Sequence, residues 1–82
     1  MDKIYARFVE PNAGFSNDPG KVSKAGLKLG ERYLLEDAEV GGWYTRVSLV
    51  GISEWFNSVH FDFEDEEGNL VDIYRMPEYI TY

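Results

Sequence analysis

Apolar and polar residues alternate along most of this chain with a period of two, the pattern of half-buried β-strands. Residues 3–9 place Ile4, Ala6 and Phe8 on one face and Lys3, Tyr5 and Arg7 on the other. A second strand is expected near 32–40. There the adjacent Leu34 and Leu35 break the alternation, pointing either to cover on both faces or to a bulge. Trp43, Thr45, Val47 and Leu49 share one face of a third strand, with Tyr44, Arg46 and Ser48 opposite. In a fourth, Asn57, Val59, Phe61 and Phe63 face one way, and Ser58, His60, Asp62 and Glu64 the other. Residues 70–75 return as a fifth, blocked from extension by Pro77.

The segments between these strands carry turn chemistry. Pro11 ends the first strand, and residues 11–26 form a long loop pinned to the body by Phe15 and Val22. Within it, Asn17-Asp18-Pro19-Gly20 reads as a turn, because proline presets φ and glycine accepts a positive φ. Gly41-Gly42 marks a hairpin, Gly51 another turn, and residues 65–69 a hairpin loop with Gly68 at a left-handed position. No window of ten residues has a helical period, so helix is limited to single turns near 22–26, 52–56 or 77–80. The economical architecture is all-β: a small five-stranded antiparallel barrel in one domain over residues 1–82, with its body at about 27–75 plus strand 3–9.

The sequence Leu27-x-Leu29-Gly30-Glu31-x-Tyr33, a Gly-Gly turn, Thr45-x-Val47-x-Leu49 and Phe56-Asn57-Ser58-Val59-x-Phe61 resembles the strand rhythm of SH3-like barrels. More narrowly, the chain is similar to short uncharacterised proteins of phages and mobile elements of Gram-positive bacteria. That resemblance covers about residues 27–75 and rests on core and turn positions, so it implies a fold and carries over no activity. The aromatic groove of peptide-binding SH3 domains has no counterpart in it.

Charge changes the picture further. Residues 1–35 hold six Lys/Arg against four Asp/Glu, whereas residues 36–82 hold two against eleven, within a net charge of −7. Carboxylates therefore project from the strands themselves, and the chain is expected to avoid nucleic acid and anionic membrane and to favour basic partners. Two Trp, six Tyr and five Phe supply large core side chains, too many for a disordered chain. With no cysteine and one histidine, a disulfide framework is excluded and a structural zinc site nearly so. Apolar runs are too short to span a bilayer, and the opening Met-Asp-Lys-Ile-Tyr lacks a secretory apolar stretch, so a cytoplasmic location is expected.

Catalytic readings fail on spacing. Ser58, His60 and Asp62 alternate on one strand, about 6.6–7 Å apart, whereas a nucleophile and base need about 2.6–3.2 Å. A calcium loop with Gly68 at its sixth position would put Phe63 at the first, so that register fails. The glycines are dispersed and no helix is expected after them, which argues against a phosphate cradle. Lys21, Lys24, Lys28 and Arg32 make at most a small basic edge.

What remains is a binding surface made of Glu36, Asp37, Glu39, Tyr44, Glu54, Trp55, Asp62, Glu64 and Asp72. Trp55 either caps one end of the barrel or, beside Glu54, faces a peptide carrying Lys or Arg. The leading expectation is a non-enzymatic acidic interaction module, without cofactor or metal, for a basic protein surface or peptide. The alternative is a phage-type inhibitor. Its carboxylates, repeating every ~7 Å along the strands, would mimic nucleic acid and block a host enzyme that binds it. Whether the chain is a monomer or a strand-exchanged dimer is left open.

Overall fold

The computed structural model describes residues 3–82. Its five strands are β1 (Tyr5–Phe8), β2 (Arg32–Val40), β3 (Thr45–Leu49), β4 (Ile52–Asn57) and β5 (Phe61–Glu64). All pairings are antiparallel, in one sheet of order β4-β3-β2-β1-β5. The expected β class and strand number hold. The sheet is unclosed, since β4 and β5 lie at opposite ends of that order.

Register explains which residues go inward. Ala6 and Phe8 of β1 lie opposite Phe63 and Phe61 of β5, and all four are buried. On β2 the pairing with β3 shifts between Leu35 and Asp37, a bulge that absorbs Glu36. The extra residue restores parity after the Leu34-Leu35 doublet, so Leu35, Ala38 and Val40 are all buried while Asp37 is exposed. Opposite them, Thr45, Val47 and Leu49 line the inner face of β3, and Phe56 of β4 packs against Val47. Ile73 closes the core and is fully buried.

Three expectations are corrected. The connection after β1 contains a helix, α1 (Asp18–Lys24), rather than a plain turn. Pro19 sits in its first turn, where its missing N–H costs nothing, and Gly20 lies inside the helix without a positive φ. The helix ends as the Gly26 N–H donates to the Ser23 carbonyl and the Leu27 N–H to the Val22 carbonyl. That closure needs the left-handed φ of +76° at Gly26. It turns Val22 into the core.

The expected fourth strand is cut in two. Residues 52–56, taken as a site for a helical turn, belong to β4, and Ser58–His60 forms a 3-10 turn. The Asn57 side chain accepts from the Val59 N–H at 3.2 Å and so caps that turn. The outcome inverts the expected faces: Ser58 and His60 are buried, and Val59 is 47% exposed. The His60 Nδ1–H donates to the Glu10 carbonyl at 2.6 Å, and the His60 carbonyl accepts from the N–H groups of Val9 and Glu10. His60 thus anchors the start of the long connection to the sheet.

Residues 70–75 do not form a fifth strand either. A single bridge joins Leu70 to Glu64, and then Asp72 accepts from the Tyr74 N–H at 3.1 Å and caps a 3-10 turn over Ile73–Arg75. Capping bends the chain inward and drives Ile73 beneath β5. The hairpin loop before it is as expected, with Gly68 at φ +88°. Another 3-10 turn, Pro77–Tyr79, leads to a parallel bridge between Ile80 and Val40. Among the described residues, no helix is long and apolar enough to cross a membrane.

Candidate functional site

The nine residues expected to form one surface fall into five separate settings. Glu64 is the clearest departure. Its side chain is only 8% exposed and receives Arg7 in a two-pronged contact, Nε to Oε2 at 2.7 Å and the second prong to Oε1 at 3.1 Å. Arg32 Nε lies 3.2 Å from Oε1, near enough for charge attraction but not aligned to donate. Arg32 instead donates to the Asp65 carbonyl and stacks its guanidinium 4.2 Å from the Tyr5 ring. The hydrogen bonds from Arg7 hold the Glu64 carboxyl below the usual carboxylate range, aided by both positive charges and opposed by desolvation. Glu64 is a structural ion pair and presents no free charge.

Glu36, Asp37 and Glu39 lie along the second half of β2. Glu39 pairs with Arg46 across the β2–β3 ladder, Oε1 to Nη2 at 2.8 Å. The Arg46 guanidinium also lies 4.5 Å from the Trp55 ring. Trp55, expected to cap a barrel or meet a partner's cation, is thus half-buried beneath the protein's own arginine. Glu54 stands apart on the edge strand β4, where it shares a shallow hollow with Lys21 and Lys24 of α1.

Tyr44 is 47% exposed at the tip of the β2–β3 hairpin, with its ring edge-on to Phe15 at 6.0 Å between centroids. Trp43, expected on the inner face of β3, is 88% exposed instead. The strand begins only at Thr45, so the alternation that would have turned Trp43 inward does not reach it.

Asp62 and Asp72, distant in sequence, are brought together. They flank a groove of about 320 Å³ beside β5, lined by Phe61, Phe63, Leu70, Val71 and Tyr74, where the Val71 N–H already donates to the Phe63 carbonyl at 2.9 Å. Phe61 and Phe63 form its floor and are buried, whereas Leu70 is 75% exposed on its wall. Tyr74 stands edge-on to Phe63 at 6.4 Å, fixed by its hydroxyl donating to Ser58 Oγ at 3.0 Å. Asp62 lies opposite Arg7 in register, but Arg7 is committed to Glu64, and Asp62 has no ion-pair partner among the described residues. Asp72 accepts from the Tyr74 N–H with Oδ1, and its only ion-pair partner among the described residues is Arg75, 3.4 Å from Oδ2 on the exposed surface. Asp65, at the neighbouring tip, is used internally. Its carboxylate accepts from the Asn69 and Glu67 N–H groups, which hold it below its ordinary range.

The groove joins apolar floor, aromatic wall and two carboxylates of which neither is saturated. That combination fits the stem and head of a lysine or arginine side chain. Sequence reasoning named its carboxylates but missed Leu70, Val71 and Tyr74, which it assigned to a strand. Among the described residues, no group of three or more His, Asp or Glu side chains is placed to hold a metal ion.

Comparison with known proteins places the chain. A family model described as Bacteriophage T4 protein Y07B matches residues 3–82. No curated protein and no solved structure matches it. The family match bears out the phage-related part of the expected resemblance and is silent on the SH3-like part. With the match spanning nearly the whole chain, the protein belongs to the family of Bacteriophage T4 protein Y07B.

Proposed function

We propose that this protein is a small non-enzymatic binding module that takes a basic, partly apolar protein segment in the groove between Asp62 and Asp72. One observation carries the reading. An apolar groove between β5 and the returning residues 70–74 is rimmed by two carboxylates, of which Asp62 has no ion-pair partner among the described residues and Asp72 only a weak, exposed one. An extended segment in the groove sets its lysine or arginine stems against Leu70, Val71 and Tyr74 and their heads against the two aspartates. Such contacts give specificity for positive charge and retain an apolar component at high salt.

An SH3-like arrangement is part of the same proposal. Its support is the strand order β4-β3-β2-β1-β5, the long connection between β1 and β2, and the 3-10 turn linking β4 to β5. The nucleic-acid mimic draws less support. A mimic needs carboxylates in one regular row, and Glu64 is neutralised by arginine, Glu39 by Arg46, and Glu54 lies beside two lysines.

Fluorescence anisotropy with a labelled peptide alternating arginine and leucine tests the reading, with the glutamate-for-arginine peptide as control. The arginine peptide should bind, and Asp62→Asn with Asp72→Asn should weaken it about tenfold or more, equivalent to about 1.4 kcal/mol. Asparagine keeps the acceptor that caps Tyr74, so the fold is retained. Equal binding of both peptides, or affinity unchanged in the double variant, would sink the proposal.

A further inference from the structure

A second exposed surface lies outside the groove. Phe15 (57% exposed), Trp43 (88%), Tyr44 (47%) and Tyr82 (77%) gather around the β2–β3 hairpin tip. Phe15 stands against Tyr44, and Tyr82 comes so close to Gly42 that a Cβ there would meet its side chain at 3.9 Å. The tip is held in place. The Phe15 N–H donates to Asp18 Oδ2 at 2.7 Å, the same oxygen accepts from Asn57 Nδ2, and the Gly41 N–H closes the hairpin on the Tyr44 carbonyl. The backbone of the tip is therefore fixed and Phe15 and Tyr44 order each other, so less freedom is lost there when something covers them.

We infer that this aromatic end is where two copies of the chain meet about a two-fold axis. Charge selects the occupant. In a two-fold contact each side chain faces its own surroundings again, so a patch with free charge repels its copy. The groove carries Asp62 and Asp72, and exposed Leu29 sits next to Lys28, so neither suits self-contact. At the aromatic end the nearest carboxylates are engaged: Glu39 is ion-paired with Arg46, and Asp18, still negative, is held by two neutral hydrogen-bond donors. Here two chains of net charge −7 can approach over aromatic surface rather than over the unpaired Asp62 and the exposed Asp72 of the groove.

Area sets the strength. A fully exposed aromatic side chain offers about 150–250 Å². At their observed exposures the four rings contribute roughly 500 Å² per copy, and the pair buries about 1,000 Å² in total. That is the lower limit of a specific interface, so the dimer should be weak, with a Kd of micromolar order or above. Asp37 and the other unpaired carboxylates repel at longer range, so added salt should strengthen the association.

Sedimentation equilibrium on the whole chain from about 5 µM to about 500 µM, at about 0.15 M and about 1 M salt, decides the matter. The expected result is a monomer–dimer equilibrium, tighter at high salt and weakened at least tenfold by Trp43→Ala. Tyr82→Ala, at a second exposed position, should weaken it in the same direction. A chain that stays monomeric throughout would overturn the inference, as would a dimer indifferent to both substitutions. So would a monomer whose Trp43 fluorescence responds only to the arginine peptide, because the end would then belong to a partner. These readouts are separate from the Asp62 and Asp72 test, so either proposal can fail alone.

Discussion

Replacing Glu64 by glutamine leaves the guanidinium groups of Arg7 and Arg32 close together with no charge between them. In the wild type the 8%-exposed carboxylate takes Arg7 at 2.7 Å and sits 3.2 Å from Arg32. Removing one partner of a buried pair costs about 3–5 kcal/mol, and both arginines here reach solvent, so a loss of about 2–3 kcal/mol is expected. In a domain of this size that corresponds to a melting temperature lower by roughly 10–20 °C. Urea titration followed by circular dichroism at neutral pH measures the loss directly. The acid side gives an independent check. The Glu64 carboxyl is held below its ordinary range when folded, so its contribution is fully present above the unfolded pKa of about 4.3. It is lost as the pH falls through the lower folded value. The wild type should lose stability faster than Glu64→Gln across that interval, and the two should converge in acid. A glutamine variant within about 0.5 kcal/mol of wild type, with the same acid dependence, would refute the reading of Glu64 as the central anion of the sheet.

Three further outcomes follow from the packing. Phe56, 1% exposed on the inner face of β4, should cost about 3–5 kcal/mol when cut to alanine, enough to unfold most of a marginal domain by calorimetry. His60→Ala should cost about 3 kcal/mol, whereas His60→Phe keeps the volume and removes the unpartnered Nε2 but also the Nδ1–H donor to Glu10, so its urea stability should fall by only about 1–2 kcal/mol. Asp18→Ala removes the acceptor shared by Phe15 N–H and Asn57 Nδ2, costing about 1–2 kcal/mol, and hydrogen exchange should speed up at the Phe15 amide while β2 and β3 stay protected.

How much of this was legible in the sequence depended on what each residue's side chain does. Alternation located β1, β2 and β3 because there the backbone bonds to neighbouring strands and the side chains only partition. The Leu34-Leu35 doublet flagged the bulge correctly for the same reason. Reading failed where a side chain takes over a backbone bond. Asn57 and Asp72 each cap a turn in the middle of a stretch that alternates well, and each cap ends a strand that hydrophobic pattern alone would extend. The helix at Asp18–Lys24 is only seven residues long, too short for a period to emerge, and its N-terminal proline looks the same in sequence as a turn proline. Of the candidate site, Asp62 and Asp72 were visible as carboxylates, but their pairing across one groove depends on the inward bend at Ile73. The capture of Glu64 and Trp55 by Arg7 and Arg46 was not legible, since it depends on cross-strand partners fixed only by register.

Nitrogen-15 NMR mapping of the arginine–leucine peptide onto the labelled protein tests the assignment of the groove most directly. The account predicts shifts concentrated at Phe61, Asp62, Phe63 and Leu70 to Tyr74, with α1 and the hairpin tip unmoved. Shifts centred on Lys21 to Lys28 or on Trp43 and Tyr44, or none at saturating peptide, would contradict it.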